Sequence, residues 1–200
     1  MRMRKRKWVD PFLNSENKYL IKDALSYNDI FLEIGMGMGD FIIESAKNNP
    51  DKLYIGFEKD PTCVARSIKH AQDYELDNLK IINANALNLL EMFSLNTVNT
   101  IYLHFSDPWP KKAHHKRRLT YPTFLSMYEK ILKDGGQIIF KTDNEELFND
   151  SLDYFNASNF KLVETNRDYH SIKRDEPLTG YERKFKDAGN PIYFAKLKKN

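Results

Sequence analysis

Short apolar segments with the composition of β-strands alternate with helical patterns along most of this chain. Seven such segments occur, at residues 30–34, 53–57, 79–83, 100–105, 137–141, 161–165 and 191–197. Alternation of this kind is typical of parallel strands joined by right-handed crossover helices. We therefore predict an α/β fold with a doubly wound, mostly parallel, seven-stranded sheet. The helix near residue 124 is expected to stop at the glycine pair Gly135 and Gly136.

A chain of 200 residues is most simply one domain, and no repeat or break in composition marks a second one. We predict that residues 1–28 form a basic N-terminal arm with a lead-in helix and that residues 29–200 form the folded domain. The arm is expected either to meet a polyanion or to be a solubilising tail. Its basic residues are Arg2, Arg4, Lys5, Arg6 and Lys7.

A glycine-rich turn follows the first long strand, in the sequence LEIGMGMGD. Gly35, Gly37 and Gly39 alternate there, which permits a tight turn into a helix and lets a ligand approach the backbone. Glu58 ends the next strand, where an acidic residue can bind ribose hydroxyls. The usual dinucleotide fingerprint is incomplete, and Glu33 before the turn suits a cationic amino acid head. The pattern favours S-adenosylmethionine over NAD.

The most distinctive segment, SDPWPKKAHHKRR, follows the strand at 100–105. Pro108 and Pro110 cannot donate to a sheet, so they end the strand in a stiff loop. Open α/β sheets bind ligands at this end of their strands. Asp107, Trp109 and the adjacent basic run together predict chemistry on a nucleobase of a polyanion. The carboxylate, the aromatic ring and the basic side chains can each bind a different part of a nucleotide. A solvated basic loop is the alternative.

The basic run is predicted to contact RNA phosphates. Trp109 or Tyr181 is expected either to stack on an exposed base or to be a packing residue. Adjacent histidines point apart, and no carboxylate or cysteine has ligand spacing to them, so we predict no metal site. The net charge of +3 is modest, but local basic patches still indicate a polyanionic partner. The residues expected to contact RNA are Lys112, His114, His115, Lys116, Arg117 and Arg118.

Five segments, in this order, resemble the bacterial tRNA (guanine-N7-)-methyltransferase family: LEIGMGMG, GFEKD, DPWPKKAHHKRR, KTDN and TGYERKF. The resemblance implies a Rossmann-like class I methyltransferase domain with an antiparallel C-terminal strand and S-adenosylmethionine as cofactor. It also implies methyl transfer to N7 of a variable-loop guanosine, at tRNA position 46. Ser106 and Asn85 depart from the family pattern, which more often has proline and aspartate there.

The resemblance also implies roles for individual residues. The cofactor side receives, besides the three glycines, Glu33, Glu58, Asn85 and Asp107. The substrate side receives Lys111, Asp143, Thr179, Gly180, Tyr181 and Glu182. Each has a structural alternative: a strand-end charge for Glu33, a turn for Asn85 or Thr179, and a helix N-cap for Asp143.

The chemistry at guanine N7 follows from its free lone pair, which bears no proton. Transfer to it needs alignment of the reacting atoms more than a general base. Positive charge moves onto the purine as the methyl group arrives, so a nearby carboxylate stabilises the transition state more than the ground state. We predict Asp107 as the catalytic residue. Asp107, Asp143 or Glu182 is expected to accept hydrogen bonds from the guanine N1–H and its amino group.

Three other functions compete. An amino-methyltransferase acting on nucleic acid or protein uses a related Asn/Asp-Pro-Pro-aromatic loop, but here Trp109 replaces the second proline. An NAD-dependent oxidoreductase needs a fuller glycine fingerprint. A non-catalytic RNA-binding module explains the basic patches but leaves the glycine turn and Glu58 without a purpose.

Cysteine usage and hydropathy limit the cellular compartments in which the protein is expected. Cys63 is the only cysteine, so a disulfide framework is excluded and a reducing compartment is natural. No apolar run is long enough to span a membrane, and the expected location is the cytoplasm. The expected partner is tRNA, and the sequence leaves a monomer and a homodimer open.

Overall fold

In the part of the chain that the structure describes, eight strands form one sheet. The computed structural model describes residues 6–169, 177, 179–182 and 189–200. The strands are β1 (Leu20–Ile21), β2 (Ile30–Ile34), β3 (Leu53–Glu58), β4 (Leu79–Asn83), β5 (Val98–His104), β6 (Leu132–Thr142), β7 (Phe160–Asn166) and β8 (Tyr193–Lys199). Their order across the sheet is β1-β4-β3-β2-β5-β6-β8-β7. The α-helices are α1 (Val9–Leu13), α2 (Asp40–Asn48), α3 (Pro61–Gln72), α4 (Leu89–Met92), α5 (Pro122–Ile131) and α6 (Glu145–Asn156). Short 3-10 helices cover Ala86–Asn88 and Lys112–Arg117.

The predicted doubly wound, mostly parallel sheet is confirmed. The chain passes from β2 to β3 and β4 on one side and then returns to pair β5 with the other edge of β2. β8 runs antiparallel between β6 and β7, as expected for the C-terminal strand. The sheet gains an eighth strand, β1, which is only two residues long and therefore has no readable period. The strand order reverses between β2 and β5, where open α/β sheets bind ligands.

The sheet is covered on both faces, as its continuous apolar strands require. Leu32 and Ile101 belong to a buried cluster that also includes Tyr128 of α5 and Phe155 of α6. A second buried cluster includes side chains of α2 and α3, among them Ile42, Ile43, Val64 and Ile68. These layers fix the strand ends from which the functional loops leave.

The predicted end of α5 is wrong by a few residues. The helix ends at Ile131, and β6 begins at Leu132 and runs through both glycines. A Cβ on Gly136 would lie 2.8 Å from the Lys133 carbonyl oxygen. The glycines therefore permit a close backbone approach inside β6 and do not stop the helix.

The N-terminal segment packs on α3 through α1. The Lys69 ammonium lies 4.0 Å from the Trp8 ring centroid, and Val9 is fully buried. Residues 1–5, which carry Arg2, Arg4 and Lys5 of the predicted basic arm, lie outside the described residues. No helix in the described part of the chain combines the length and apolar character needed to cross a membrane.

Candidate active site

A cavity of about 860 Å³ opens at the carboxyl ends of the central strands. Gly35 of the glycine turn, Glu58 at the end of β3 and Asp107 in the loop after β5 all line it. This volume lies within the roughly 300–1,000 Å³ typical of sites for small molecules. The sequence motifs at the ends of three strands thus converge on one cavity.

All three glycines of the turn have left-handed backbone angles, with φ of +77° at Gly35, +57° at Gly37 and +79° at Gly39. A Cβ on Gly37 would meet no atom within 4 Å, whereas a Cβ on Gly39 would lie 2.9 Å from that of Ser67. Gly37 therefore leaves open space, while Gly39 permits the packing of α2 on α3. The expectation that all three glycines face a ligand is revised for Gly39.

The Glu58 carboxylate joins the glycine turn to the loop after β3. Its Oε2 accepts a hydrogen bond from the Gly37 N–H at 3.1 Å, and its Oε1 accepts one from the Asp60 N–H at 2.8 Å. These bonds fix the carboxylate at the cavity wall, and each oxygen retains a second lone pair for a ligand hydroxyl. Asp60 in turn caps α3 by accepting from the Thr62 N–H at 2.8 Å.

Asn85 has the turn role that the sequence left as an alternative. Its side-chain oxygen accepts a hydrogen bond from the Leu87 N–H at 3.0 Å and so caps the 3-10 helix that follows. Its neighbours Ala84 and Ala86 line the cavity.

The loop after β5 is strained at both ends. Phe105 and Trp109 have φ of +48° and +42°, values that bulky residues rarely adopt. Such strain costs about 1–3 kcal/mol per residue and clusters at functional sites. Between them Asp107 projects into solvent, with its Oδ2 at 3.8 Å from the Lys59 ammonium.

The Trp109 ring has cations and a histidine around it. The Arg117 guanidinium lies 5.0 Å and the Lys59 ammonium 5.9 Å from its centroid, and His114 meets it edge-on at 5.8 Å. Tyr181 is instead half-exposed and packs on Phe105 at 5.2 Å. Of these two aromatic residues, Tyr181 is the more exposed.

The basic run divides into an exposed and an inward-facing part. Lys111, Lys112, Lys116 and Arg117 are exposed, and His114 and His115 are half-buried. Arg118 is only 1% exposed, which contradicts its prediction as an RNA contact. A 3-10 helix has three residues per turn, so His115 and Arg118 lie on one side, against α6.

His115 also lies close to Glu146 and Asp150 of α6, near enough for all three to hold one ion. Sequence spacing missed this group because the chain positions are far apart. The Arg118 guanidinium already lies among them, 2.9 Å from His115 Nε2 and 3.7 Å from Glu146, and bonded to Asp150. An arginine therefore supplies the positive charge at this position.

Among the described residues, two buried ionisable pairs lie close enough to interact with each other. Glu33 Oε1 lies 3.2 Å from His104 Nδ1, and the Lys141 ammonium lies 3.1 Å from Glu182 Oε1. Burial raises the pKa of Glu33, helped by the nearby Glu182 charge, and burial lowers the pKa of His104. Burial therefore disfavours the charged form of both Glu33 and His104. Sequence reasoning missed His104 and Lys141, which read as ordinary strand residues.

The predicted substrate segment begins with a capping box. Thr179 Oγ1 accepts from the Glu182 N–H at 2.9 Å, and Glu182 Oε2 accepts from the Thr179 N–H at 2.8 Å. Both side chains are buried, so the structure does not present them to a substrate as the sequence led us to expect. A Cβ on Gly180 would clash with the Asp40 carboxylate, so glycine permits a close approach to the N-terminus of α2.

Asp143 follows β6, and its predicted alternative as a helix cap is wrong. The cap of α6 is Asn144, whose side chain accepts from the Leu147 N–H at 2.7 Å. Asp143 itself is half-buried at the strand end. Cys63 lines the cavity, but burial raises the pKa of its thiol to about 11, which leaves it a protonated, poor nucleophile at neutral pH.

Comparison with known proteins points to methyltransferases. Residues 27–195 match a family model described as "Putative methyltransferase". The chain is 40% identical to the tRNA (guanine-N(7)-)-methyltransferase of Bacillus subtilis, over 98% of both chains. It is 47% identical to the protein of the same name from Alkaliphilus oremlandii, over 83% of this chain and 79% of that one.

Solved structures show the same fold at low sequence identity. The 16S rRNA methyltransferase KamB superposes with a TM-score of 0.66 at 18% identity, covering 87% of this chain and 89% of KamB. A 30S ribosomal A1408 methyltransferase from an uncultured bacterium gives 0.60 at 17% identity, covering 87% and 89%. At these identities the likeness concerns the fold alone.

Proposed function

This chain belongs to the tRNA (guanine-N7)-methyltransferase family of class I methyltransferases, and we propose that it methylates N7 of a variable-loop guanosine, at position 46 of tRNA. The observation that supports this most is the convergence of Gly35, Glu58 and Asp107 on one cavity. The cofactor is S-adenosylmethionine. We place the reaction in the cytoplasm, together with its tRNA substrate.

Residues that line the cavity, or that neighbour its lining residues in the sequence, fit this cofactor. We assign Glu58 to the ribose hydroxyls, because its oxygens already face the cavity with lone pairs to spare. Glu33 Oε2 is buried without a hydrogen-bond partner among the described residues, and an ammonium group would supply one. Gly37 leaves open space beside Glu58 for a ligand. Bound here, S-adenosylmethionine supplies an electrophilic methyl group on a cationic sulfur.

We assign to Asp107 the stabilisation of positive charge on the purine. Its carboxylate lies at the cavity rim, where charge develops as N7 accepts the methyl group. No residue needs to remove a proton from N7. Lys59, 3.8 Å from Asp107, opposes that role unless an RNA phosphate draws its ammonium away. In this proposal, binding of tRNA draws Lys59 away and so frees the Asp107 carboxylate to stabilise the purine.

We assign RNA binding to the exposed basic residues Lys111, Lys112, Lys116 and Arg117. Their contacts with phosphates set the position of the protein along the RNA. Guanine N7 lies on the narrow major-groove edge of A-form RNA, so the nucleotide must leave its tertiary contacts to react. We assign Tyr181 to stacking on the extruded base, and Asp143 to its N1–H and amino group. Thr179 and Glu182 then hold the segment that carries Tyr181 in place through the hydrogen bonds of their capping box.

The test is to incubate the purified protein with unmodified tRNA transcript and labelled S-adenosylmethionine, and to identify the nucleoside formed. We expect 7-methylguanosine from the transcript, and none from a transcript with adenosine in place of that guanosine. Label on an exocyclic amino group would indicate an amino-methyltransferase instead. Binding of the transcript with no transfer of label would indicate a non-catalytic RNA-binding module.

A further inference from the structure

The buried guanidinium of Arg118 contacts the backbone of the loop that carries Asp107. Its Nε donates to the Pro108 carbonyl oxygen at 2.7 Å, and its Nη2 reaches the Trp109 carbonyl oxygen at 3.5 Å. These two carbonyls belong to the two residues directly after Asp107. Arg118 thus contacts the catalytic loop where Trp109 has a strained, left-handed backbone.

The other side of the guanidinium is anchored on α6. Nη1 donates to Asp150, whose side chain is about one-third exposed, while that of Arg118 is 1% exposed. A second link lies beside the first, because Thr120 and Ser151 share a buried hydrogen bond of 2.7 Å. Arg118 therefore ties the loop after β5 to the helix after β6.

We propose that Arg118 is a positioning residue for Asp107, and that it acts by fixing the strained catalytic loop to α6 and not by binding RNA phosphate. A planar guanidinium is suited to this task because it donates in several directions at once. A lysine ammonium reaches Asp150 or the loop but cannot reproduce the fork. The proposal rests on the proposed function, since it concerns the rate at which Asp107 assists methyl transfer.

The first measurement reports the loop without any catalysis. The chain has two tryptophans, so Trp8→Phe leaves Trp109 as the only tryptophan, whose emission is excited selectively at wavelengths that tyrosine does not absorb. In that background we expect Arg118→Lys to increase acrylamide quenching of Trp109. The matched control is Arg167→Met, which removes an exposed arginine from Glu145 and Asn149 of the same helix and leaves quenching unchanged. Unchanged quenching in a folded Arg118→Lys protein overturns the proposal.

The second measurement is a double-mutant cycle on the single-turnover rate of methyl transfer. A small misplacement of a reacting group costs large factors in rate, so we expect Arg118→Lys to slow transfer about tenfold or more. In an Asp107→Asn background the same change should cost less than about threefold, because the charge to be positioned is gone. Equal costs in the two backgrounds overturn the proposal.

A loss of tRNA affinity that accounts for the whole effect, with a weaker salt dependence, also overturns it and makes Arg118 a phosphate ligand. Should Arg118→Lys fail to fold, Asp150→Asn serves the same comparison, because it keeps the guanidinium and removes its anchor. Failure of the wild-type protein to methylate tRNA refutes the proposed function, while the quenching result still decides whether Arg118 orders the loop.

Discussion

The Lys141 ammonium and the Glu182 carboxylate form an ion pair of 3.1 Å in which neither side chain is exposed. Removing one partner of such a pair leaves a buried charge without compensation. We expect Lys141→Met to lower the free energy of unfolding by about 3–5 kcal/mol. Urea denaturation measures this loss. Because Glu182 holds Thr179, the segment that carries Tyr181 should also loosen.

The double variant Lys141→Met with Glu182→Gln is the control for this prediction. It removes both charges while the glutamine oxygen can still accept the Thr179 N–H, so it should recover part of the lost stability. If the double variant is as unstable as Lys141→Met, or less stable, the buried charge is not the cause.

The buried groups Glu33 and His104 are expected to have opposite effects on how stability depends on pH. The pKa of His104 is lowered below its ordinary 6.5, so the unfolded chain gains a proton below that pH that the folded chain does not. Stability from this group is present above pH 6.5 and is lost as the pH falls. The pKa of Glu33 is raised above its ordinary 4.5, so its contribution is present below pH 4.5 and is lost as the pH rises.

Thermal unfolding of the cofactor-free protein between about pH 5.5 and pH 7.5 separates the two groups. We expect His104→Gln to weaken the loss of stability on acidification. Glu33→Gln should steepen that loss, because it removes the group that opposes it. Parallel profiles for both variants and the wild-type protein would show that neither group titrates differently in the folded state.

Gly37 and Gly39 are expected to respond differently to substitution. Gly37→Val places a branched side chain in open space beside Glu58, so it should sharply weaken binding of S-adenosylhomocysteine in calorimetry. Gly39→Ala places a methyl group 2.9 Å from Ser67, so it should lower the melting temperature more than it lowers affinity. Equal loss of affinity in the two variants would contradict the division of roles.

The exposed part of the basic run should control the salt dependence of tRNA binding. We expect the triple change Lys112→Ala, Lys116→Ala and Arg117→Ala to reduce the slope of log affinity against log salt by roughly 0.7–0.9 per lost phosphate contact. Affinity for S-adenosylhomocysteine should stay unchanged. Fluorescence anisotropy of labelled tRNA over a salt series gives the slope. An unaltered slope would mean that these residues form only a solvated surface.

The sequence predicted the sheet because the pattern of apolar residues in each strand is local. It predicted the positions of the glycine turn and of Asp107 because each directly follows a strand that this pattern identifies. It could not reveal that Arg118 faces inward, since Lys116, Arg117 and Arg118 read alike and only packing against Asp150 separates them. His104 and Lys141 escaped for a related reason. Their partners Glu33 and Glu182 are 71 and 41 positions away along the chain, and no local pattern reports such pairs.

Asp107 gives the sharpest prediction. We propose that its carboxylate stabilises positive charge that reaches the purine only as the methyl group moves. Asp107→Asn keeps the shape of the side chain and removes its charge. We expect the single-turnover rate to fall about a hundredfold or more, as when one preorganised electrostatic group of about 2.7–4 kcal/mol is removed. Affinity for tRNA should change little, because the exposed lysines and arginine of the basic run bind the phosphates both before and after the reaction.

Lys59→Met is the companion variant, since it removes the cation that lies 3.8 Å from Asp107 without altering the carboxylate. An exposed pair of this kind is worth at most about 1 kcal/mol, so stability should hardly change. If an RNA phosphate normally draws Lys59 away, the variant should bind tRNA with a smaller salt slope and transfer the methyl group at a similar rate once bound. An Asp107→Asn protein that methylates N7 at nearly the wild-type single-turnover rate would reduce Asp107 to a structural loop residue.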